Sequence, residues 1–128
     1  MRLNTLLLIN AIVSLAYGIG LVVLPAMILT LYGLNSGPGE QLMARFFGVA
    51  LLAFGLVTWF ARNTTDPVTQ RAFIQTHLVS SPVGALVAIL ATLNSTMNML
   101  GWSVAAIYVF FGLGYAYFQF MKPRVTDA

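Results

Sequence analysis

The sequence has no cysteine and very little charge. Of its 128 residues, 7% are charged, three are acidic and one is histidine. Without cysteine there is no disulfide, no thiolate nucleophile and no cysteine-based metal site. A soluble domain carries about 25% charged residues, so this chain, which is 59% hydrophobic, could not cover a surface that faces water. The composition predicts an integral membrane protein that contacts membrane lipids.

The few acidic residues stand where they cannot support chemistry inside a membrane. Glu40 and Asp66 lie at the ends of apolar segments, and Asp127 lies in the C-terminal tail. We interpret Glu40 as an acid that favours a helix N-terminus. A serine–histidine–acid set is excluded because no acid lies in the interior, and proton-coupled antiport would lack its usual intramembrane carboxylate. We therefore expect no enzymatic activity, no cofactor and no metal. We also expect no nucleic-acid partner, because the net charge of +3 comes from residues that flank the membrane.

Long uncharged runs predict four membrane spans. No charge lies between Arg2 and Glu40 or between Arg71 and Lys122, and a helix needs about 20 apolar residues to cross the hydrocarbon core. Pro25 suits the first position of a further short helix over 25–33, which we place at the membrane interface. The fold class predicted is an all-α, up-down bundle of four transmembrane helices in a single domain, 1–128. The predicted spans are about 5–24, 38–61, 67–93 and 100–121.

The basic residues predict the orientation of this bundle. With four spans, both termini and the loop between spans two and three lie on one side of the membrane. Cytoplasmic segments carry an excess of lysine and arginine. We therefore expect both termini in the cytoplasm, because that side holds five of the six cations: Arg2, Arg62, Arg71, Lys122 and Arg124.

Polar side chains recur at helical spacing in the predicted bundle and fall at two depths. Small and polar residues on one face allow transmembrane helices to approach closely and to form hydrogen bonds. The outer level contains the candidate ligand-binding residues Arg45, Gln41, Tyr17 and Tyr108. The inner level contains a candidate polar cluster of His77, Asn10, Trp59, Tyr115 and Gln119.

Arg45 and His77 each have two interpretations. Arg45 shares a helical stripe with Gly48 and Gly55, so it could face inward and hold an anion, which arginine does well. Its long side chain could equally extend to the outer headgroups. His77 fits a hydrogen-bonding core residue best, and metal ligation or proton transfer is the alternative. Ligation of a haem by two histidines of this chain is excluded because the chain has one histidine.

Three segments resemble a group of small bacterial four-span proteins that are broadly DoxX-like. These segments are "LPAMILTLYGL" (24–34), "ARFFGVALLAFGLVTWFAR" (44–62) and "GYAYFQF" (114–120). The resemblance implies a four-helix protein of the bacterial inner membrane, with an Ala-Arg pair, here Ala44 and Arg45, near the start of the second span. It implies no catalytic or binding residues.

Three functions from different classes fit these features. The first, which the sequence favours, is a non-enzymatic accessory or structural subunit that packs in a larger membrane complex. The loops are short, and Ala11, Ala50 and Ala106 offer small outward surfaces. The second is a binder or carrier of a lipid, a quinone or a small amphipathic anion anchored by Arg45. The third, and the least favoured, is an enzyme on a lipid-soluble substrate with His77 as its base.

Overall fold

The computed structural model describes residues 2–121, so the predicted cations Lys122 and Arg124 and the acid Asp127 lie outside the described part. The fold is the predicted all-α bundle. Four helices are long and apolar enough to cross a membrane, and the described residues contain no strand. The helices are α1 (Leu3–Val23), α2 (Pro25–Leu31), α3 (Pro38–Ala61), α4 (Pro67–Leu93) and α5 (Gly101–Ala116), and a π-helical turn (Tyr117–Met121) extends α5.

Local signals begin and end these helices. Pro25, Pro38 and Pro67 each occupy the first turn of a helix, where proline's missing N–H costs nothing. Asp66 caps α4, since its Oδ2 accepts from the backbone N–H of Thr69 at 3.2 Å and from the Thr69 hydroxyl at 2.6 Å. The hydroxyl bond holds the pKa of the Asp66 carboxyl below its usual value.

The short helix α2 ends two residues earlier than predicted. Gly33 adopts a φ of 76°, a left-handed conformation that favours glycine. The N–H of Leu34 then donates to the carbonyl of Leu29 at 2.8 Å. This is the reversal by which a glycine commonly terminates a helix, and it turns the chain toward α3.

The long helices form two tight pairs, α1 with α3 and α4 with α5. In the first pair the backbones touch at Gly18 and Gly48: a Cβ added to Gly48 would lie 2.9 Å from the carbonyl oxygen of Gly18. In the second pair the ring of Tyr108 packs on Gly84, leaving no room for a Cβ there. Close approach through small residues is the usual way that helices associate in lipid.

The two pairs join mainly at one end of the bundle, the end that holds the start of α1 and the α3–α4 loop. We call this the inner end, following the predicted orientation. The N-terminal segment meets the α3–α4 loop there, since Asn4 Nδ2 donates to Asn63 Oδ1 at 3.4 Å. The core fills the space between the pairs at this end. It consists of large side chains from α1, α4, α5 and the π-helical turn: Leu6, Leu7, Phe73, Ile74, Phe111, Tyr115 and Phe118.

At the opposite, outer end the two pairs are connected through α2. The hydroxyls of Tyr17 in α1 and Tyr32 after α2 lie 2.9 Å apart. Asn98, in the α4–α5 loop, donates from its side chain to the Leu31 carbonyl and from its backbone to the Tyr32 carbonyl, both at 2.9 Å. The end of α2 therefore bridges α1 and the α4–α5 loop.

The backbone contact between Gly18 and Gly48 yields a first prediction. Gly48→Ala forces α1 and α3 apart, and we expect it to destabilise the fold by about 1–3 kcal/mol, as overpacked core substitutions do. Gly39→Ala is the matched control in the same helix, because a Cβ there meets nothing within 4 Å. Thermal unfolding in detergent, followed by circular dichroism, measures both. Equal melting temperatures for the two variants would contradict the close contact.

Candidate functional site

A large cleft separates the two helix pairs above the core. Its volume is about 1470 Å³, and it runs from the outer loops down to Asn10 and His77. Along α1 its lining extends from Asn10 to Leu21, which is about 16 Å at 1.5 Å per residue. Since the hydrocarbon core of a bilayer is about 30 Å thick, the cleft spans roughly one leaflet.

The side chains that face the cleft explain why it is open. Near the inner end the pairs face each other with the large residues of the core. Farther out, the facing positions carry small side chains, among them Ser14, Ser81, Gly84 and Ala88. These residues are too short to reach across the gap, so the pairs diverge and the space remains.

The cleft is open toward the bilayer between α3 and α4. Met43 and Phe47 of α3 and Val83 and Val87 of α4 all line it, and all four are exposed. At the outer end Ile28, of α2, and other residues of the α2 segment cover it. A molecule dissolved in the lipid could thus enter from the side without crossing a layer of water.

Asn10 and His77 form the deep end of the cleft. The side-chain amide of Asn10, which is 4% exposed, donates to His77 Nε2 at 2.8 Å and to the Tyr115 hydroxyl at 3.0 Å. Its oxygen accepts from the Ser14 hydroxyl at 3.3 Å. His77 Nδ1 lies 2.9 Å from the Phe73 carbonyl.

This network fixes the state of the imidazole. An amide nitrogen can only donate, so His77 Nε2 must accept, and Nδ1 then carries the hydrogen that the Phe73 carbonyl receives. The ring is therefore neutral, and neither nitrogen keeps a free lone pair. The Tyr115 ring stacks on it with centroids 4.2 Å apart, and Phe54 packs on it at 5.2 Å. His77 is a bonded core residue in this arrangement.

Four further hydroxyls of the cleft have no hydrogen-bond partner among the described residues. The hydroxyls of Thr76, Ser80, Ser81 and Tyr108 line it, and none of the four forms a hydrogen bond with the part of the chain that the structure describes. Ser81 is 2% exposed. A hydroxyl that faces a cleft in an apolar setting gains a hydrogen bond when a ligand acceptor fills the cleft.

The cleft carries almost no charge. Of the described residues that line it, Glu40 at the outer mouth is the one that is charged at neutral pH, given the neutral state of His77. No cationic side chain is among them. Within residues 2–121, no three His, Asp or Glu side chains lie close enough to hold a metal ion.

The structure brings two of the four predicted ligand-binding residues to the cleft. Tyr17 and Tyr108 line it. Arg45 is exposed and lies outside it, so the inward-facing interpretation of Arg45 is wrong. The buried stripe of α3 passes instead through Ala44, Gly48, Gly55 and Thr58, and Arg45 lies about 100° around the helix from Ala44.

Gln41 also has a local role rather than a place in the cleft. It is half-buried, and its side-chain Nε2 donates to the Ser36 carbonyl at 2.6 Å. This bond holds the turn before α3. The prediction that Gln41 lies beside a ligand is not supported by its position.

The structure brings three of the five residues of the predicted inner polar cluster into one hydrogen-bonded and stacked group. Asn10, His77 and Tyr115 are in direct contact, as described above. Trp59 is half-buried and does not join them: its ring lies under the guanidinium of Arg62, 4.0 Å from the ring centroid, because the buried stripe passes through its neighbour Thr58. Gln119 is half-buried in the π-helical turn.

Sequence reasoning missed the cleft and the bridge made by Asn98. The spacing of Asn10, Ser14 and Tyr17 indicated one polar face but not how far the opposite helices lie from it. Asn98 stands in a short loop of polar residues, where nothing distinguishes it from its neighbours. The unpartnered hydroxyls of α4 could have been suspected from the adjacent Ser80 and Ser81.

Comparison with known proteins places the chain in a family. A family model described as "Domain of unknown function (DUF8292)" matches residues 1–121. The chain belongs to this family. No curated protein and no solved structure matches it. The family match does not connect the chain to the DoxX-like proteins, and that resemblance stays a prediction.

The Asn10 network yields a second prediction. Asn10→Ala removes the amide that donates to His77 and to Tyr115. Two buried polar atoms then lose a hydrogen bond, and we expect the free energy of unfolding to fall by about 1–3 kcal/mol. Asn94→Ala, at an exposed asparagine after α4, is the matched control. Thermal unfolding in detergent should show a clear decrease in melting temperature for Asn10→Ala alone. An unchanged melting temperature would mean that the network adds nothing to stability.

Proposed function

We propose that this protein binds a lipophilic small molecule from the bilayer in the cleft between its two helix pairs. The observation that carries the proposal is the cleft itself: about 1470 Å³ of mostly apolar space, open between α3 and α4. Ligand sites are typically clefts with apolar walls and a few polar groups that fix orientation. The walls here are apolar, and the polar groups are hydroxyls on α4 and α5.

The position of Arg45 changes the form of the hypothesis that arose from the sequence. An arginine outside the cleft cannot anchor an anion within it. The apolar walls and the lateral opening support a lipid-like ligand such as a lipid or quinone, and they do not support a small amphipathic anion held by Arg45.

An enzymatic function receives no support from His77. Both of its ring nitrogens have partners, to Asn10 and to Phe73, so no lone pair is available to act as a base. We infer a binder or carrier rather than a catalyst.

The accessory-subunit hypothesis, which the sequence favoured, becomes the second candidate. Two of the three small residues proposed to pack outward, Ala50 and Ala106, are exposed. The third, Ala11, was wrongly assigned, because it is fully buried, at 0% exposure. A partner that packs on Ala50 and Ala106 would be compatible with a ligand in the cleft.

For the location, we propose the bacterial inner membrane with the inner end of the bundle in the cytoplasm. Arg2, Arg62 and Arg71 lie toward that end, and the contact between Asn4 and Asn63 keeps the N-terminal segment beside the α3–α4 loop. The deep end of the cleft at His77 then lies sixteen residues before Leu93, which is about 24 Å of helix and past the middle of the membrane.

The lateral opening yields a third prediction, which tests the proposed function. Val87 is 62% exposed and lines the cleft, whereas its neighbour Leu86 is 57% exposed and does not. We expect Val87→Trp to fill the mouth and to reduce the lipophile that co-purifies with each chain by about tenfold. Leu86→Trp, the matched control, should leave it unchanged. The lipophile is extracted from purified protein and quantified by mass spectrometry. Equal content in both variants would contradict binding in the cleft.

The orientation yields a fourth prediction. The chain contains no cysteine, so Asn35→Cys in the outer loop and Thr65→Cys in the α3–α4 loop each introduce a single thiol. A membrane-impermeant maleimide added to intact cells should label the first variant and leave the second unlabelled until the cells are broken. The reverse pattern would place the termini outside.

A further inference from the structure

The groups that line the cleft restrict the chemistry of its ligand, and this inference rests on the proposed function. We propose that the ligand is a long-chain lipophile whose polar end is an uncharged carbonyl, as in a long-chain ester or a quinone. The polar end lies at the hydroxyls of Ser81 and Tyr108, in the middle of the cleft, and the apolar chain fills the remainder.

The charge of the cleft excludes an anionic polar end. A phosphate or carboxylate inside the bilayer needs a cation or several strong donors. No cation lines the cleft in the described part of the chain, and Arg45 is directed elsewhere. Glu40 at the outer mouth adds a negative charge, which repels an anion entering from that end.

The hydroxyls of the cleft require an acceptor. A serine in a helix commonly donates to the carbonyl one turn earlier, as Thr58 does to Phe54 and Thr92 does to Ala88. Ser81 makes no such bond to any described residue, although it is 2% exposed. Its O–H group is therefore available to donate, and a ligand carbonyl is an acceptor that needs no counter-charge.

The depth of the site favours the same class of molecule. Ser81 lies twelve residues before the end of α4 at Leu93, which is about 18 Å of helix and close to the middle of the membrane. A phospholipid keeps its charged headgroup at the surface, because burying an ion there is costly. An uncharged carbonyl compound can reach this depth and enter between α3 and α4.

Tyr108, in α5, places a second hydroxyl on the same wall as Ser81. Its ring is held against Gly84, so the side chain of α5 stays close to α4, and its hydroxyl forms no hydrogen bond within residues 2–121. The ring also forms part of the apolar wall. Ser81 and Tyr108 thus present two donors to one cleft from two helices.

The test uses four hexadecyl probes that differ only in the polar end. They are the methyl ester of the acid, the sulfonate, the trimethylammonium and the plain alkane. Binding to the full chain in lipid nanodiscs is measured by native mass spectrometry. We expect the methyl ester to bind about tenfold more tightly than the sulfonate, since the charged end would be buried without a counter-ion.

Substitutions then locate the polar end. Ser81→Ala and Tyr108→Phe each remove one hydroxyl and should weaken binding of the methyl ester by about three- to tenfold, with no change for the alkane. The matched controls are Ser103→Ala, whose hydroxyl bonds to the Leu100 carbonyl, and Tyr117→Phe, an exposed residue outside the cleft. Both should leave binding of the ester unchanged.

The outcomes separate this inference from the proposed function. Tighter binding of the sulfonate or the trimethylammonium than of the ester would overturn the inference and leave a ligand cleft in place. Equal binding of the ester and the alkane, with no effect of Ser81→Ala, would also overturn the inference and leave a ligand cleft in place. Failure of all four probes to bind, or binding that Val87→Trp does not reduce, would overturn both.

Discussion

The architecture depends on where large side chains stand along the two helix pairs. Within each pair, glycine allows close contact, as at Gly18 with Gly48 and at Gly84 with Tyr108. Between the pairs, contact is made by large residues at the inner end, among them Phe73, Phe111 and Tyr115. Farther out, several facing positions carry small residues such as Ser14 and Ser81, and the pairs are separated there. The cleft is the direct consequence.

The polar network at Asn10 separates the two regions. It lies where the core ends and the cleft begins, and it joins four side chains by hydrogen bonds in an apolar setting. In lipid such bonds hold helices together, because water is not available as an alternative partner. The network therefore closes the bottom of the cleft and links α1 to α4 and α5. The bridge through Tyr32 and Asn98 links them again at the outer end.

Much of the fold could be predicted from the sequence, and the helix bounds of α3 and α4 agree with the prediction residue for residue. The features that predicted it are properties of the local sequence. They are the uncharged runs, the prolines at helix starts, and the polar faces that include Asn10 in α1 and Tyr115 in α5. The position of Arg45 was not predicted, because a stripe through Gly48 and Gly55 can include either Ala44 or Arg45. These two residues lie about 100° apart around the helix. Burial of Ala44 rather than Arg45 is decided by contact with α1, which a single helix does not encode.

The cleft could not be predicted from the sequence either. Periodicity tells which side of a helix faces inward, but the width of the gap depends on the sum of facing side chains across several helices. Ser14, Ser81 and Gly84 would suit a tightly packed interface as well as an open one. What distinguishes the two cases is the placement of Leu6, Phe73 and Phe111 toward one end, where they form the hydrophobic core between the pairs.

The most direct test of the account is native mass spectrometry of the wild-type protein released gently from its own membrane. The account predicts a single chain that carries one low-mass, uncharged lipophile in a fixed ratio and keeps it until the bundle unfolds. A chain that carries no small molecule, either alone or with a protein partner in constant ratio, would contradict the claim that the cleft is a ligand site.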